Sequence, residues 1–186
     1  NIQEQRLSEE LHSLVSTCYV HENRGRILSQ FIASKGKLLS LLRARQTCIL
    51  PSLIKKTVQN GIIEGLVVEN KSNYTDTIKH SSKIDAVVKL ILQRKDNTNG
   101  KIIFCHYIDE INIIAQKLTA GGILNIVKYD GRNKNKNKHI NTPKFNNSVI
   151  IMQIQTGSEG INLQHHFNEI YFVSPHWNPS IEDQAI

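Results

Sequence analysis

Nowhere in the chain does an apolar run approach the roughly 20 residues needed to cross a bilayer, and the N-terminal NIQEQRLSEE lacks the basic-then-apolar order of a secretory leader. Neither membrane insertion nor secretion is expected, so Asn70-Lys71-Ser72 and Asn73-Tyr74-Thr75 match glycosylation acceptors by chance. Cysteine is scarce. Cys18, Cys48 and Cys105 are odd in number and widely spaced, which excludes a disulfide framework and a cysteine zinc site. They read as reduced, intracellular thiols, mostly packed in a core. Also missing is any Gly-x-x-x-x-Gly-Lys-Ser/Thr loop. Gly36-Lys37 and Gly100-Lys101 are followed by Leu and Ile and lack the upstream glycine, so this chain cannot cradle a triphosphate by itself. His165, His166 and His176 have no accompanying Cys or carboxylate pattern, and no metal site is expected.

What is present is ordinary for a soluble globular protein: 186 residues, 39% hydrophobic and 21% charged, enough for one domain with an appendage. The formal charge of +7 favours a polyanionic partner such as nucleic acid without identifying one. The frequent Asn, Lys and Ile, as in RNKNKNKHIN from Arg132 to Asn141, fit an AT-rich genome. Lys134, Lys136, Lys138 and Lys144 read as a solvated face, with a DNA-facing stripe as the alternative, because residues two apart do not share a side of a helix.

From Leu7 to about Leu50 the apolar spacing is helical. Leu7, Leu11, Leu14, Val15 and Cys18 form one stripe, and Leu38, Leu41, Leu42 and Ile49 a second, with Pro51 closing the second helix. Val67-Val68 is a short strand candidate and NKSNYTDT a loop. At Ser82 the pattern changes. Ser82 and Asp85 have capping-box spacing, and Ile84, Val87, Val88, Ile91 and Leu92 follow a helical period. A strand is expected over Ile102–Cys105, a helix over Ile108–Leu118 stopped by Gly121-Gly122, and a strand over Ile123–Val127. Two further apolar runs, Val149–Met152 and Ile170–Val173, read as strands covered on both faces. Alternating strands and helices predict an α/β fold with a parallel sheet. The domain division expected is 1–80, a helical bridging segment with linker, and 81–186. Asp109-Glu110 sits at a helix start, where acidic residues complement the helix dipole.

Several segments then carry a resemblance. Thr156-Gly157-Ser158-Glu159-Gly160-Ile161-Asn162-Leu163 resembles motif V of superfamily 2 helicases. Trp177-Asn178-Pro179 followed by Glu182-Asp183-Gln184-Ala185-Ile186 is similar to the approach to motif VI in Swi/Snf-type ATPases, and narrows the likeness to that branch. Upstream, LRARQTCILPSL from Leu42, Ser81-Ser82-Lys83, KIIFCHYIDEI from Lys101 (motif IV) and Tyr129-Asp130-Gly131 fall in the family's order. The likeness is weak before about Leu38 and strongest after Lys101.

The resemblance implies a RecA-like parallel sheet flanked by helices, the second lobe of an ATP-dependent duplex DNA translocase, with a preceding α-helical segment. ATP and Mg²⁺ would be held mainly by a first RecA-like lobe of the same polypeptide, with Gly157, Glu159, Gly160, Asn162 and Gln184 closing on the nucleotide. His106, Gly131, Arg132, Gln155, Thr156 and Trp177 would face nucleic acid. Trp177 also reads as a packing anchor for its turn. Ile154 stands where many relatives carry a phosphate-contacting Thr, and Ser158 where a second Gly is common. The motif VI arginines would follow Ile186, so no catalytic residue is expected within the chain, and the chain alone is expected to be inactive. Chromatin, transcription or repair proteins are the implied partners, in the nucleus or in a viral factory or virion. An RNA helicase lobe and a degenerate, non-catalytic interaction module are the alternatives.

Overall fold

The computed structural model describes residues 2, 5, 9, 42, 45–54, 81–130, 148–157, 163 and 165–186. The chain divides into two compact units, Asn1–Lys83 and Ile84–Ile186. In the first, residues 45–49 are helical and Pro51 opens a 3-10 turn, Pro51–Ile54. Proline ends the helix there as expected, because it offers no N–H to continue the ladder. Ser81 Oγ donates to the Ile49 carbonyl at 2.5 Å. The predicted first helical stripe after residue 9, Val67-Val68 and NKSNYTDT lie outside the described residues.

The second unit is built on four strands: β1 (Gly100–Cys105), β2 (Ile126–Tyr129), β3 (Val149–Gln153) and β4 (Phe167–Phe172). They form one sheet in the order β2-β3-β1-β4, and every pairing is parallel. Ile103 lies level with Ile151 and Tyr171 across the three strands. β1 is buried throughout and β3 along all but Gln153, as expected of strands whose sequences are continuous apolar runs. β4 differs. It starts three residues before the predicted run, and its burial is interrupted, with Ile170 at 36% exposure. Among the described strands it pairs on one side only, so an edge position, not double coverage, explains the mixed sequence FNEIYF.

Helix α1 (Ser82–Gln93) begins at the predicted serine and buries Ile84, Val88 and Ile91; α2 (Ile108–Ala120) buries Ile111, Ile114, Ala115 and Leu118. Both sets follow the spacing of a single helix face. α2 packs on β1, β2 and β3. Its end explains why β2 starts late. Gly122 adopts φ 95°, and the Gly122 and Ile123 N–H groups return to the Thr119 and Leu118 carbonyls, each at 3.0 Å. This is the Schellman closure, and it spends Ile123 on the cap, so β2 starts at Ile126 and not at Ile123.

Alternation places Ile102, Phe104, Tyr129, Ile150 and Met152 in a core cluster that also takes in Ile154, Leu163 and Phe167. Ile181 and Ala185 of a short helix, α4 (Pro179–Ala185), pack against it, and Phe104 stacks on Phe172 with centroids 5.1 Å apart. A one-turn helix, α3 (Ile154–Gly157), follows β3 directly and contacts α4. These two elements bring the end of β3 and the segment after β4 together.

Candidate nucleotide and nucleic-acid interface

The connection leaving β1 returns to the far edge strand β2, and the one leaving β3 crosses the other way to β4. In open parallel sheets ligands bind outside the carboxyl ends of strands where connections diverge in this way. His106 follows β1, Gln153 ends β3, and Ser174 to Asn178 follow β4. All meet at that end.

His106 is 7% exposed, and its N–H, its carbonyl and its ring Nε2 each have a hydrogen-bond partner. Its backbone N–H and that of Tyr107 donate to Glu110 Oε2 at 2.7 and 2.8 Å. Glu110 is thus more than a charge at the helix start: it closes the first turn of α2 onto the end of β1. The His106 carbonyl accepts from Gln153 Nε2 at 3.1 Å, tying β1 to β3. His106 Nε2 lies 3.1 Å from the Ser174 carbonyl, which can only accept, so Nε2 carries the proton. The ring stacks on His176 with centroids 5.4 Å apart and planes 21° from parallel.

His176 is fixed in turn. Its N–H donates to Glu182 Oε1 at 2.5 Å, and its Nδ1 accepts from the Asn178 N–H at 3.0 Å. Asn178 caps α4 through Oδ1, which accepts from Ser180 N–H at 3.1 Å, and Pro179 occupies the first helical position. The predicted turn into a helix at Trp177-Asn178-Pro179 is therefore present, with Asn178 as its cap.

Beneath this layer Cys105 is buried. Burial, with the Glu110 charge adding to it, pushes its thiol well above the usual range. It is a packing group with no nucleophilic thiolate. Cys48, by contrast, is exposed. The Ser174 hydroxyl is buried without a hydrogen-bond partner among the described residues.

Of the residues anticipated to face ligands, Gln155 and Gln184 are exposed on α3 and α4, Thr156 is half-buried, and Gly157 ends α3. Trp177 is 58% exposed, so its indole does not serve as a buried anchor. His106 belongs to the same end, but its ring is turned inward. Gly131, Arg132, Glu159, Gly160 and Asn162 lie outside the described residues, as do Ser158 and the lysine set. Ile154, at the position where the family often has Thr, is 1% exposed within the core cluster, so that position serves packing here. Ser174, His176 and Glu182 were not anticipated as parts of the site. The signal available was the spacing of His176 to Asn178 before the Asn-Pro cap.

Residues 82–186 match the helicase conserved C-terminal domain profile. The chain belongs to that family. Among curated relatives, the chain is 30% identical over 119 residues to an uncharacterized ATP-dependent helicase of Mycoplasma genitalium, covering 62% of this chain and 11% of that protein. It is 29% identical over 117 residues to the DNA repair protein RAD5 of Saccharomyces cerevisiae, covering 57% and 10%. A probable global transactivator of Orgyia pseudotsugata multicapsid polyhedrosis virus is 26% identical over 151 residues, covering 78% and 28%. The match therefore spans about a tenth of the first two and under a third of the third.

Two solved structures share the fold. The C-terminal part of the Fun30 ATPase domain superposes with TM-score 0.69 at 15% identity, covering all of this chain and 75% of that one. The Sulfolobus solfataricus SWI2/SNF2 ATPase C-terminal domain gives 0.57 at 19%, covering 94% and 71%. The fold is the RecA-like helicase C-terminal lobe, and the relatives are Rad5- and Snf2-type ATP-dependent helicases.

Proposed function

We propose that this chain is the second motor lobe of an ATP-dependent double-stranded DNA translocase. The observation that carries the reading is the carboxyl end of the sheet, where α3 and α4 lie against each other and leave Gln155, Gln184 and Trp177 exposed. In a family of ATP-dependent helicases, that is the surface on which a second lobe meets nucleotide and nucleic acid. The basic balance of the chain, +7, suits a phosphate backbone, whose neutralisation supplies affinity without reading sequence.

ATP suits this end. Polar, uncharged Gln184 on α4 and the α3 backbone at Gly157 can meet a nucleotide held chiefly by the first lobe, and the Gly160 and Asn162 segment would complete the closure. When bound, ATP would supply the free energy of the motor cycle through hydrolysis of its γ-phosphate. Mg²⁺ would be held, with ATP, mainly by the first lobe, as the family likeness implies. Within this chain the work is positional. α3 and α4 approach the nucleotide, while Gln155, Thr156, Trp177 and the Gly131-Arg132 segment contact the duplex backbone. DNA-linked proteins of chromatin, transcription or repair are the fitting partners, in a nucleus or a viral replication compartment.

The test is ATP hydrolysis by the full-length protein containing both lobes, with no nucleic acid, duplex DNA, single-stranded DNA and RNA. Strong stimulation by duplex DNA is expected. Stimulation by RNA alone would instead identify an RNA helicase lobe, and absence of hydrolysis an interaction module.

A further inference from the structure

Contacts from three parts of the fold converge on one residue at the carboxyl end of the sheet. The main chain of His106 is held by Glu110 of α2 and by Gln153 of β3, and its ring by the Ser174 carbonyl after β4 and by the face of His176. From His176 the contacts continue into α4. Its Nδ1 receives the N–H of Asn178, whose Oδ1 caps the helix at Ser180, and its own N–H reaches Glu182 one turn further on. An unbroken series of contacts therefore runs from Gln153, the residue before α3, to α4. Trp177 and Gln184 ride on its far end.

We propose that His106 and His176 form a positioning couple that holds the Trp177 turn and α4 in register with β1 and α3. The inference rests on the function proposed above, and refines it by separating residues that touch ligand from residues that place them. A ring 7% exposed cannot present its edge to a phosphate, but it can fix where its neighbours stand. His176 suits the role chemically. The Asn178 N–H can only donate, so His176 accepts at Nδ1. That bond fixes the plane of the ring stacked on His106.

Trp177 is the single tryptophan of the chain, and it adjoins His176. Its fluorescence therefore reports on this turn with no nucleic acid present. Acrylamide quenching of Trp177 should rise about twofold in His106→Ala and in His176→Ala, with no further rise in the double variant, because coupled residues are not additive. His106→Phe, which keeps a ring against His176, should quench like the parent. His176 is half-buried and not in the core cluster, so its variant should stay folded, as circular dichroism would verify, even if His106→Ala does not. Unchanged quenching in His176→Ala, or summed effects in the double variant, would overturn the couple.

The same proteins are then titrated with a fluorescently labelled DNA duplex. Affinity should fall about fivefold in His176→Ala, a typical coupling between sites, and return to the parent value in His106→Phe. Loss of affinity in His106→Phe equal to that in His106→Ala would mean that the imidazole edge itself contacts DNA, and would overturn the positioning role. A parent chain that shows the quenching pattern but ignores duplex DNA, with the full-length protein unstimulated by it, would sink the translocase reading while leaving the couple standing.

Discussion

The two ends of the sheet solve opposite problems with similar residues. At the amino end, Lys101 is 1% exposed, and its ammonium donates to the Asn97 and Asn99 carbonyls at 3.1 and 3.0 Å. Beside it, Glu169 of the edge strand accepts from Asn97 Nδ2 at 2.6 Å and Tyr171 Oη at 2.5 Å, and pairs with Arg94 at 3.3 Å. These charges are spent on tying the α1–β1 turn to β4. At the carboxyl end His106 and the Oε2 oxygen of Glu110 are likewise paired, yet Trp177, Gln155 and Gln184 are exposed. One end consumes its polar groups in holding the sheet, and the other uses them to hold a surface open. Substitutions at the first should therefore cost stability, and substitutions at the surface of the second should cost ligand affinity.

The hardest test of that division is Lys101→Ala. It removes a buried stem and leaves two turn carbonyls without their cationic donor, so a loss of about 3 kcal/mol is expected. Urea denaturation would measure it. Duplex affinity of the remaining folded protein should be unchanged, and a fall in affinity at unchanged stability would erase the distinction between the ends.

Gly100→Ala should come next. A Cβ there would stand 2.2 Å from the His166 carbonyl and 2.7 Å from the Phe167 ring, at the point where the β1–β4 register shifts. The backbone contact cannot rotate away, so β4 must separate from β1 at its start, at about 1–3 kcal/mol by the usual cost of overpacking. The thermal midpoint should drop.

A pH titration sharpens the same comparison. Burial, and then the hydrogen bond and charge of Glu169, push the Tyr171 phenol up to about 12 from 10.0, with Arg94 opposing. The folded state therefore holds this proton more tightly than the unfolded chain does. Its contribution is fully present below pH 10 and is lost as pH rises through about 12, because the unfolded phenol ionises first. The phenol is only partly buried, so solvent screening keeps the loss modest. Tyr171→Phe should flatten the fall in urea midpoint between pH 10 and 12, and phenolate absorbance should show one tyrosine titrating late.

How much of this was legible in the sequence differs between the two ends for physical reasons. The strands β1 and β3 and the helices α1 and α2 were readable because burial writes itself as apolar periodicity: Ile84, Val88 and Ile91 on α1 repeat at helical intervals. The start of β2 was misplaced because Ile123 is apolar for a helix cap and not for a strand, a distinction that needs the positive φ of Gly122. β4 was read as doubly covered because an edge and a centre share the run IYFV, and only pairing separates them. At the ligand end, the placement of Gln155, Gln184 and Trp177 came from the family likeness, since an exposed polar residue leaves no periodic trace. The inward turn of His106 was not readable at all. It depends on Ser174 and His176, which lie about seventy positions away along the chain.

Trp177→Ala should have the smallest effect on folding and, for that reason, is the sharpest test of the carboxyl end. The indole is 58% exposed, so its removal should move stability by no more than about 0.5 kcal/mol, as for surface substitutions generally. Its loss should nevertheless weaken binding of a DNA duplex severalfold, because a contact that positions the sugar-phosphate backbone is lost. Because this contact is made by a neutral ring, the slope of affinity against salt should be that of the parent, whereas removal of a phosphate-binding arginine would lower the slope by about one. A destabilised Trp177→Ala protein with parent-like affinity would reassign the indole to packing. The ligand surface would then be confined to α3, α4 and the polar residues they carry.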